Sequence, residues 1–199
     1  MKTKTNLLLA VFAGFMITAC STSVERLDPQ EQVDLSGAWN DTDSQAVAQE
    51  MIEDSLSRPW ITRFVTQSGK NPTVIVGTVK NLSHEHINTN AFVANIEREL
   101  INSGQVQFVA SATDRQEVRD ERYDQALNAS QDTMNLERQE YGADFMLQGQ
   151  INTIIDIDGK TQVRYYQVNL ELISMQDNRK VWIGEKKIKK LVRLSKLRE

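Results

Sequence analysis

The last third of the chain consists of long stretches in which apolar and polar residues alternate, the pattern typical of half-buried β-strands. The first stretch covers 145–157, and Asp158-Gly159 after it predicts a tight hairpin turn. The chain returns over 163–172 and again over 181–188. These stretches predict a long antiparallel three-stranded meander, which limits the fold to one built around a sheet. The predicted inner faces carry Leu147, Gly149, Ile151, Thr153, Ile155 and Ile157, then Tyr166, Val168, Leu170 and Leu172.

Upstream of the meander, a helical pattern is followed by a strand pattern. Apolar residues recur three and four apart after Asp41 and Thr42, either of which can cap a helix, and Pro59 ends that helix. We expect Trp39 to anchor the chain where the helix begins. A nearly continuous apolar run over 74–79 then predicts a buried strand. The predicted inner face of the helix carries Val47, Ala48, Met51, Ile52 and Leu56.

A polar loop over 81–88 separates this strand from a second predicted helix. Asn88 or Thr89 caps the helix, and Gly104 ends it. Its inner face is predicted to carry Phe92, Val93, Ile96, Leu100 and Ile101. The apolar periodicity here is that of an amphipathic helix packed on a sheet.

The order of the remaining segments decides the predicted fold class. Val106 and Phe108 mark a short strand. Residues 111–141 contain no Pro or Gly and few apolar side chains, which predicts a long or broken helix that is mostly solvated. The whole order predicts an α/β (α+β) sandwich. Its mixed central sheet has about four to five strands, with a long C-terminal antiparallel hairpin or meander and flanking helices mainly on one side.

The first twenty residues have the layout of a secretory signal. Lysines precede an apolar run over 7–17, which is shorter than the roughly 18 residues that a membrane-spanning helix needs. The run ends in Ile17-Thr18-Ala19-Cys20, which resembles the lipobox of bacterial lipoproteins. That resemblance implies cleavage before Cys20 and a lipid anchor on this residue. Ser21, where retained lipoproteins usually have aspartate, favours the outer membrane. The alternative is an ordinary signal peptide followed by a free cysteine.

These features predict three parts of the chain. Residues 1–19 are the lipoprotein signal peptide, 20–35 form a flexible tether, and 36–199 form one globular domain. The tether is polar and without periodicity, and its sixteen residues span at most roughly 55 Å when fully extended. Because Cys20 is the one cysteine in the sequence, the domain has no disulfide and depends on packing for its stability.

Charge is distributed unevenly along the sequence. Residues 179–199 contain nine basic side chains and two acidic ones, whereas the rest of the mature chain has 12 basic and 25 acidic residues. Such a basic end on an acidic body suits an anionic lipid or polymer, an acidic partner protein or nucleic acid, and export argues against nucleic acid. The alternative is a last strand whose lysines are simply solvated.

Catalytic or metal-binding chemistry is hard to find in the sequence. His84 and His86 are the two histidines, and their spacing can place both imidazoles on one side of a loop, but no cysteine or third histidine completes a metal site. Phosphate-binding glycine loops and nucleophile elbows are absent. The acidic pairs at Asp41 and Asp43, and at Asp156 and Asp158, lie where helix caps and turns already explain them. We therefore predict no catalytic residue, no metal and no cofactor.

Several segments together resemble the LpoB family of outer-membrane lipoproteins that activate penicillin-binding proteins. In chain order the matching segments are 35–44, 74–81 with 83–87, 141–147 with Gly149, and Val181-Trp182 with 187–190. The resemblance implies a fold similar to the amino-terminal domain of TolB. It also implies a monomeric, non-enzymatic regulator that docks on a regulatory domain of a class A penicillin-binding protein and activates peptidoglycan synthesis. It assigns no individual partner-binding residue.

One feature departs from the family pattern. Well-known members carry a much longer tether, rich in Pro and Gln, whereas the tether predicted here covers 20–35. The alternative function is an envelope scaffold or secretion accessory lipoprotein with a fold like that of the curli secretion lipoprotein, which assembles with copies of itself. A third option is an anionic-polymer binder that uses the lysines of 186–190.

Overall fold

The computed structural model of the protein describes residues 23–28, 31–135 and 140–193. The chain forms two compact units, residues 1–31 and residues 32–199. In the first unit the described residues have no regular secondary structure. Cys20 and the predicted signal peptide lie outside the described residues. No helix in the described part of the chain is both long and apolar enough to cross a membrane.

The second unit contains four helices and five strands among its described residues. The helices are α1 (Asp41–Ser57), α2 (Trp60–Ser68), α3 (Thr89–Asn102) and α4 (Ala112–Asn128). The strands are β1 (Thr73–Leu82), β2 (Gln107–Phe108), β3 (Phe145–Asp158), β4 (Thr161–Ser174) and β5 (Lys180–Arg193).

The five strands form one mixed sheet in the order β2-β1-β3-β4-β5. Strand β1 is parallel to both β2 and β3, and β3, β4 and β5 are antiparallel neighbours. The pairing of β3 with β4 extends from Phe145↔Ser174 to Asp158↔Thr161 without a bulge. The predicted fold class and the long meander are therefore confirmed.

The core lies between one face of this sheet and the helices α1 and α3. On that inner face Tyr166, Val168 and Leu170 are fully buried in β4, as the alternation predicted. The Trp182 indole donates to the carboxylate of Asp54 in α1, with 2.9 Å between Nε1 and Oδ2. Alternation also decides what the other, outer face carries, because successive side chains of a strand point to opposite sides.

The first helix begins one residue earlier than predicted. Asn40, rather than Asp41 or Thr42, is its N-cap. The Asn40 side chain accepts from the backbone N–H of Asp43 at 2.9 Å, and the Asp43 carboxylate accepts from the Asn40 N–H at 3.1 Å. This reciprocal capping box satisfies two backbone donors that the first turn would otherwise leave unpaired.

Helix α2 was not predicted from the sequence. Pro59 ends α1 as expected, but it also stands immediately before Trp60, where its fixed φ suits a helix start. The sequence does carry a short helical pattern here, in which apolar residues recur at 60, 61, 64 and 65, but our prediction ended the helical region at Pro59. The Trp60 ring is buried and packs edge-on against Phe145, with 5.1 Å between ring centroids.

Other differences concern the ends of elements. Strand β1 continues through Leu82, into the predicted loop, and β5 continues to Arg193. Helix α4 is capped by Ser111 and ends at Asn128, and none of its residues is buried, as a solvated helix requires. Ile101 and Ile157 are exposed although they occupy predicted inner positions. Ile157 lies beyond the last buried residue of β3, whereas Ile101 directly follows the buried Leu100 and is turned about 100° away from it around the helix.

Candidate partner-binding region

Segments that are far apart in the sequence meet around the side chain of Glu85. Its Oε1 accepts from the Tyr166 hydroxyl at 2.7 Å and from the Arg164 guanidinium at 2.9 Å. Its Oε2 accepts from the backbone N–H of Trp39 at 3.1 Å. One carboxylate thus joins the loop after β1, the middle of β4 and the segment before α1. We call these residues the Glu85 cluster.

The loop that presents Glu85 is shaped by Asn81 at the end of β1. The Asn81 amide donates to the Glu85 carbonyl at 2.8 Å, and its oxygen accepts from the Ser83 N–H at 3.0 Å. Side chains of this type often replace backbone partners in turns. The loop is therefore closed on itself, and the Glu85 side chain points toward the sheet.

Lys190 makes a second ionic contact to the segment before α1. Its ammonium donates to Asp43 at 2.6 Å, to Asp34 at 2.8 Å and to the Ala38 carbonyl at 3.2 Å. Burial opposes the charge on Lys190, but the hydrogen bonds to these carboxylates outweigh burial and raise its pKa. The same hydrogen bond lowers the pKa of the Asp34 carboxyl. The segment is thereby attached to β5.

Aromatic packing completes the attachment. The Trp39 ring lies edge-on to Tyr166 and Phe92, at 5.6 and 6.0 Å between centroids, so Trp39 anchors the start of α1 as predicted. Burial and the hydrogen bond to Glu85 raise the pKa of Tyr166 well above its ordinary value. Gly37 has φ +68°, and a Cβ there would lie 2.3 Å from a methyl group of Val192. A side chain at this position would force the segment off β5.

The two histidines do not form a recognisable metal centre. The His84 backbone N–H and ring Nδ1 both lie near the Thr153 hydroxyl, at 3.1 and 3.2 Å, which is a loop-fixing contact. His86 is exposed. In the described residues no group of three or more His, Cys, Asp or Glu side chains is placed to hold a metal ion. The structure thus gives these histidines a position in a surface loop.

The remaining sequence motifs lie elsewhere. At the start of β1, Asp144 accepts from the Thr73 N–H at 2.9 Å and from the Lys70 ammonium at 3.1 Å. Trp182 contacts Asp54, whose carboxyl pKa is lowered by its hydrogen bonds to Arg58 and then to Trp182. These contacts hold elements of the fold together and do not extend the Glu85 cluster.

Sequence reasoning missed the ionic contacts of Arg164 in the Glu85 cluster and of Lys190 beside it, although the sequence contains a signal for both. Arg164 and Lys190 occupy inner-face positions of strands whose other inner residues are mostly apolar, and the two are directly paired in the register of β4 and β5. A charge on an apolar face requires a partner. The arrangement has no nucleophile and base pair; its chemical role is to fix the distal part of the meander relative to α1.

Comparison with known proteins identifies the family. The sequence model of the family described as peptidoglycan-synthase activator LpoB matches residues 43–188, and the chain therefore belongs to this family. No curated protein matches the sequence.

Solved structures with a similar fold include members of the same family. The LpoB C-terminal domain from Escherichia coli is 16% identical, with a TM-score of 0.46, over 73% of this chain and 98% of that one. Lipoprotein GNA1162 from Neisseria meningitidis is 16% identical, with a TM-score of 0.38, over 60% of this chain and 83% of that one. Family membership depends on the sequence match and not on these distant likenesses.

Proposed function

We propose that the mature protein is an outer-membrane lipoprotein, anchored through Cys20, that binds a class A penicillin-binding protein and raises its rate of peptidoglycan synthesis. The observation that carries this proposal is the family match, which spans residues 43–188 and so covers almost all of the folded unit. The lipobox at Cys20 supports the anchor, and Ser21 supports the outer membrane as its location.

The character of the folded unit suits a regulator. An activator needs a rigid surface that prefers the active conformation of its enzyme, and it needs no catalytic side chain. A tenfold activation corresponds to about 1.4 kcal/mol of preferential binding. The Glu85 cluster contributes by holding the meander in one orientation, so less entropy is lost when a partner docks.

The proposed organisation is a signal peptide over 1–19, a tether over 20–35 and a folded domain over 36–199. A tether of this length gives limited reach. The meander adds to it, since strands of 14 residues are about 45 Å long. We propose that the meander contributes to the distance that the protein bridges between the outer membrane and an enzyme of the inner membrane.

The first experiment measures glycan polymerisation by the class A penicillin-binding proteins of the same organism. The acylated mature protein is titrated into each enzyme in detergent, with an unrelated lipoprotein of similar size as the control. We expect saturable acceleration of at least one enzyme. Neither binding nor acceleration with any of them would refute the proposed function.

The scaffold alternative is tested in the same samples. A self-assembling protein forms larger species as its concentration rises, which sedimentation velocity detects. We expect a monomer at all concentrations used in the activity assay. Ring-sized species together with the absence of acceleration would favour the scaffold.

A further inference from the structure

The outer face of the meander differs from its inner face in the distal half of the hairpin. Thr153 and Tyr166 are the last buried residues of β3 and β4. The five residues from Ile154 to Asp158 therefore extend about 17 Å beyond the core. On the outer face of this extension the sequence places apolar side chains where solvated strands usually carry polar ones.

These apolar side chains form one contiguous group on neighbouring strands. Ile154 pairs with Tyr165, and Val163 pairs with Leu191. Leu82 pairs with Asn152 and so lies diagonal to Ile154, within reach of a long side chain. Ile154 is 64% exposed, Leu191 57% and Leu82 53%, while Val163 and Tyr165 are half-buried. We call these five residues the outer patch.

Basic side chains border the outer patch. Lys189 on β5 pairs with Tyr165 on β4, and Lys80 on β1 pairs with Gln150 on β3. Among the described residues neither lysine has a carboxylate within ion-pair distance, whereas the inner-face Lys186 and Lys190 are paired with acidic residues. Lys187 contacts Glu185 of its own strand. Two carboxylates lie on the same face toward the tip: Asp156, which pairs with Val163 of the outer patch, and Asp158, which pairs with Thr161.

A row of amide side chains continues the outer face toward the middle of the sheet. Gln150 pairs with Asn169, and Asn152 pairs with Gln167. The side-chain amides of Gln150 and Asn152 have no hydrogen-bond partner among the described residues, so their donors and acceptors remain available to a partner. Directional groups of this kind are satisfied by a protein surface and not by the acyl layer of a membrane.

We propose that the outer patch, with Lys80 and Lys189 at its border, is the surface that docks on the penicillin-binding protein. The partner surface that fits it has an apolar centre with acidic residues around it. This inference rests on the proposed function and names the docking face that the family match leaves open. The family match favours this partner over a second copy of the chain, and the two border lysines, which have no carboxylate partner among the described residues, favour acidic residues on its surface.

The chain offers a matched pair of substitutions for the test. Ile154 and Ile157 are in the same strand with exposed fractions of 64% and 65%, but they point to opposite faces because their positions differ by three, an odd number. Ile154→Glu places a carboxylate in the outer patch, and Ile157→Glu makes the same change on the inner side of the hairpin. We expect Ile154→Glu to weaken binding to the activated enzyme at least tenfold and Ile157→Glu to change it less than twofold.

Binding is measured with the acylated mature protein and its enzyme by biolayer interferometry, and circular dichroism checks that both variants fold. Equal binding by wild type and Ile154→Glu would refute the docking face while leaving the proposed function intact. Equal losses of affinity in both variants would also refute the docking face, since the effect would then not depend on which face of the hairpin carries the new carboxylate. If wild type binds no class A enzyme, the proposed function itself fails, and the docking face fails with it.

A second pair tests the basic border. Lys189→Glu and Arg98→Glu make the same charge change. Arg98 lies on α3 beside Glu99, and α3 packs on the inner face of the sheet, opposite to the face that carries the outer patch. We expect Lys189→Glu to slow association several-fold and to flatten its salt dependence, with Arg98→Glu close to wild type. Unchanged association of Lys189→Glu would contradict an acidic partner surface. If wild type instead forms dimers and Ile154→Glu restores the monomer, the outer patch binds a second copy of the chain, and the proposed docking face for the enzyme is refuted.

Discussion

The two faces of the meander are made by the same three strands, yet they differ in almost every physical property. The inner face is buried along β4 from Tyr166 to Leu172, and its charges at Arg164 in β4 and Lys190 in β5 are paired with acidic residues. The outer face carries amides, exposed aliphatic side chains, the carboxylates of Asp156 and Asp158, and Lys189, which has no carboxylate partner among the described residues. We infer that strand alternation separates the residues that stabilise the fold from those proposed to bind a partner. Substitutions on the inner face should change the free energy of unfolding, and substitutions on the outer face should change binding.

The largest effect is expected in the packed inner face. Leu170 is fully buried and touches the site where Gly149 has no side chain. Leu170→Ala leaves a cavity, and we expect a loss of about 3 kcal/mol in the free energy of unfolding. Its neighbour on the outer face provides the control, since Asn169→Ala should change that free energy by less than about 0.5 kcal/mol. Urea unfolding measures both changes. Similar losses of unfolding free energy in the two variants would contradict the contrast between the faces.

The next effect concerns the Glu85 cluster. Glu85→Gln keeps the shape of the side chain but removes the charge that Arg164 and Tyr166 contact. We expect a loss of about 2 kcal/mol, because Arg164 then keeps a half-buried charge without its counterion. Glu50→Gln removes a carboxylate from an exposed ion pair with Lys186 and should cost less than about 1 kcal/mol. The same urea experiment compares them, and equal costs would show that the cluster does not fix the meander.

A smaller effect depends on pH. The raised pKa of Tyr166 keeps its phenol neutral in the folded protein when the unfolded chain ionises near its ordinary pKa of about 10. This contribution to stability is complete below pH 10 and is lost as the pH rises above it. Between pH 9 and pH 11 the stability advantage of wild type over Tyr166→Phe should therefore shrink by about 1 kcal/mol. Parallel pH profiles of the two proteins would contradict a buried, neutral phenol.

The smallest effect is expected for stability at the outer patch. Ile154→Glu and Ile157→Glu are both exposed substitutions beyond the core, and each should change the free energy of unfolding by less than about 1 kcal/mol, mainly through strand propensity. Thermal unfolding of the two variants gives the comparison. A large loss for Ile154→Glu alone would mean that the outer patch is part of the folded core and not a free surface.

Much of the fold was predictable because it depends on local patterns. The alternation over 145–172 and the turn at Asp158-Gly159 determined the hairpin and its register, since a shift by one residue would expose Leu147 and Val168. Helix α3 was predicted with its cap for the same reason. Helix α2 was not predicted, because its apolar pattern covers only nine residues and directly follows the proline that ends α1.

The candidate region was predictable in part. Both 35–44 and 83–87 were noted as motif segments, but their contact through Glu85 joins residues 46 and 79 positions apart and leaves no periodic trace. Arg164 and Lys190 are charges on a mostly apolar strand face, but the sequence analysis did not single them out, and their acidic partners are not identifiable from the strands alone. The lipid attachment proposed at Cys20 depends entirely on the sequence.

By itself the sequence determined most of the strands and helices, which strand face is apolar, and which family the protein belongs to. These properties follow from spacing and residue type, which act between near neighbours. The tertiary structure alone decided that Glu85 and Lys190 attach the segment before α1 to the sheet, and that the outer patch is exposed across Leu82, Ile154 and Leu191. Those arrangements depend on strand order and register, which bring together side chains that the linear sequence keeps far apart.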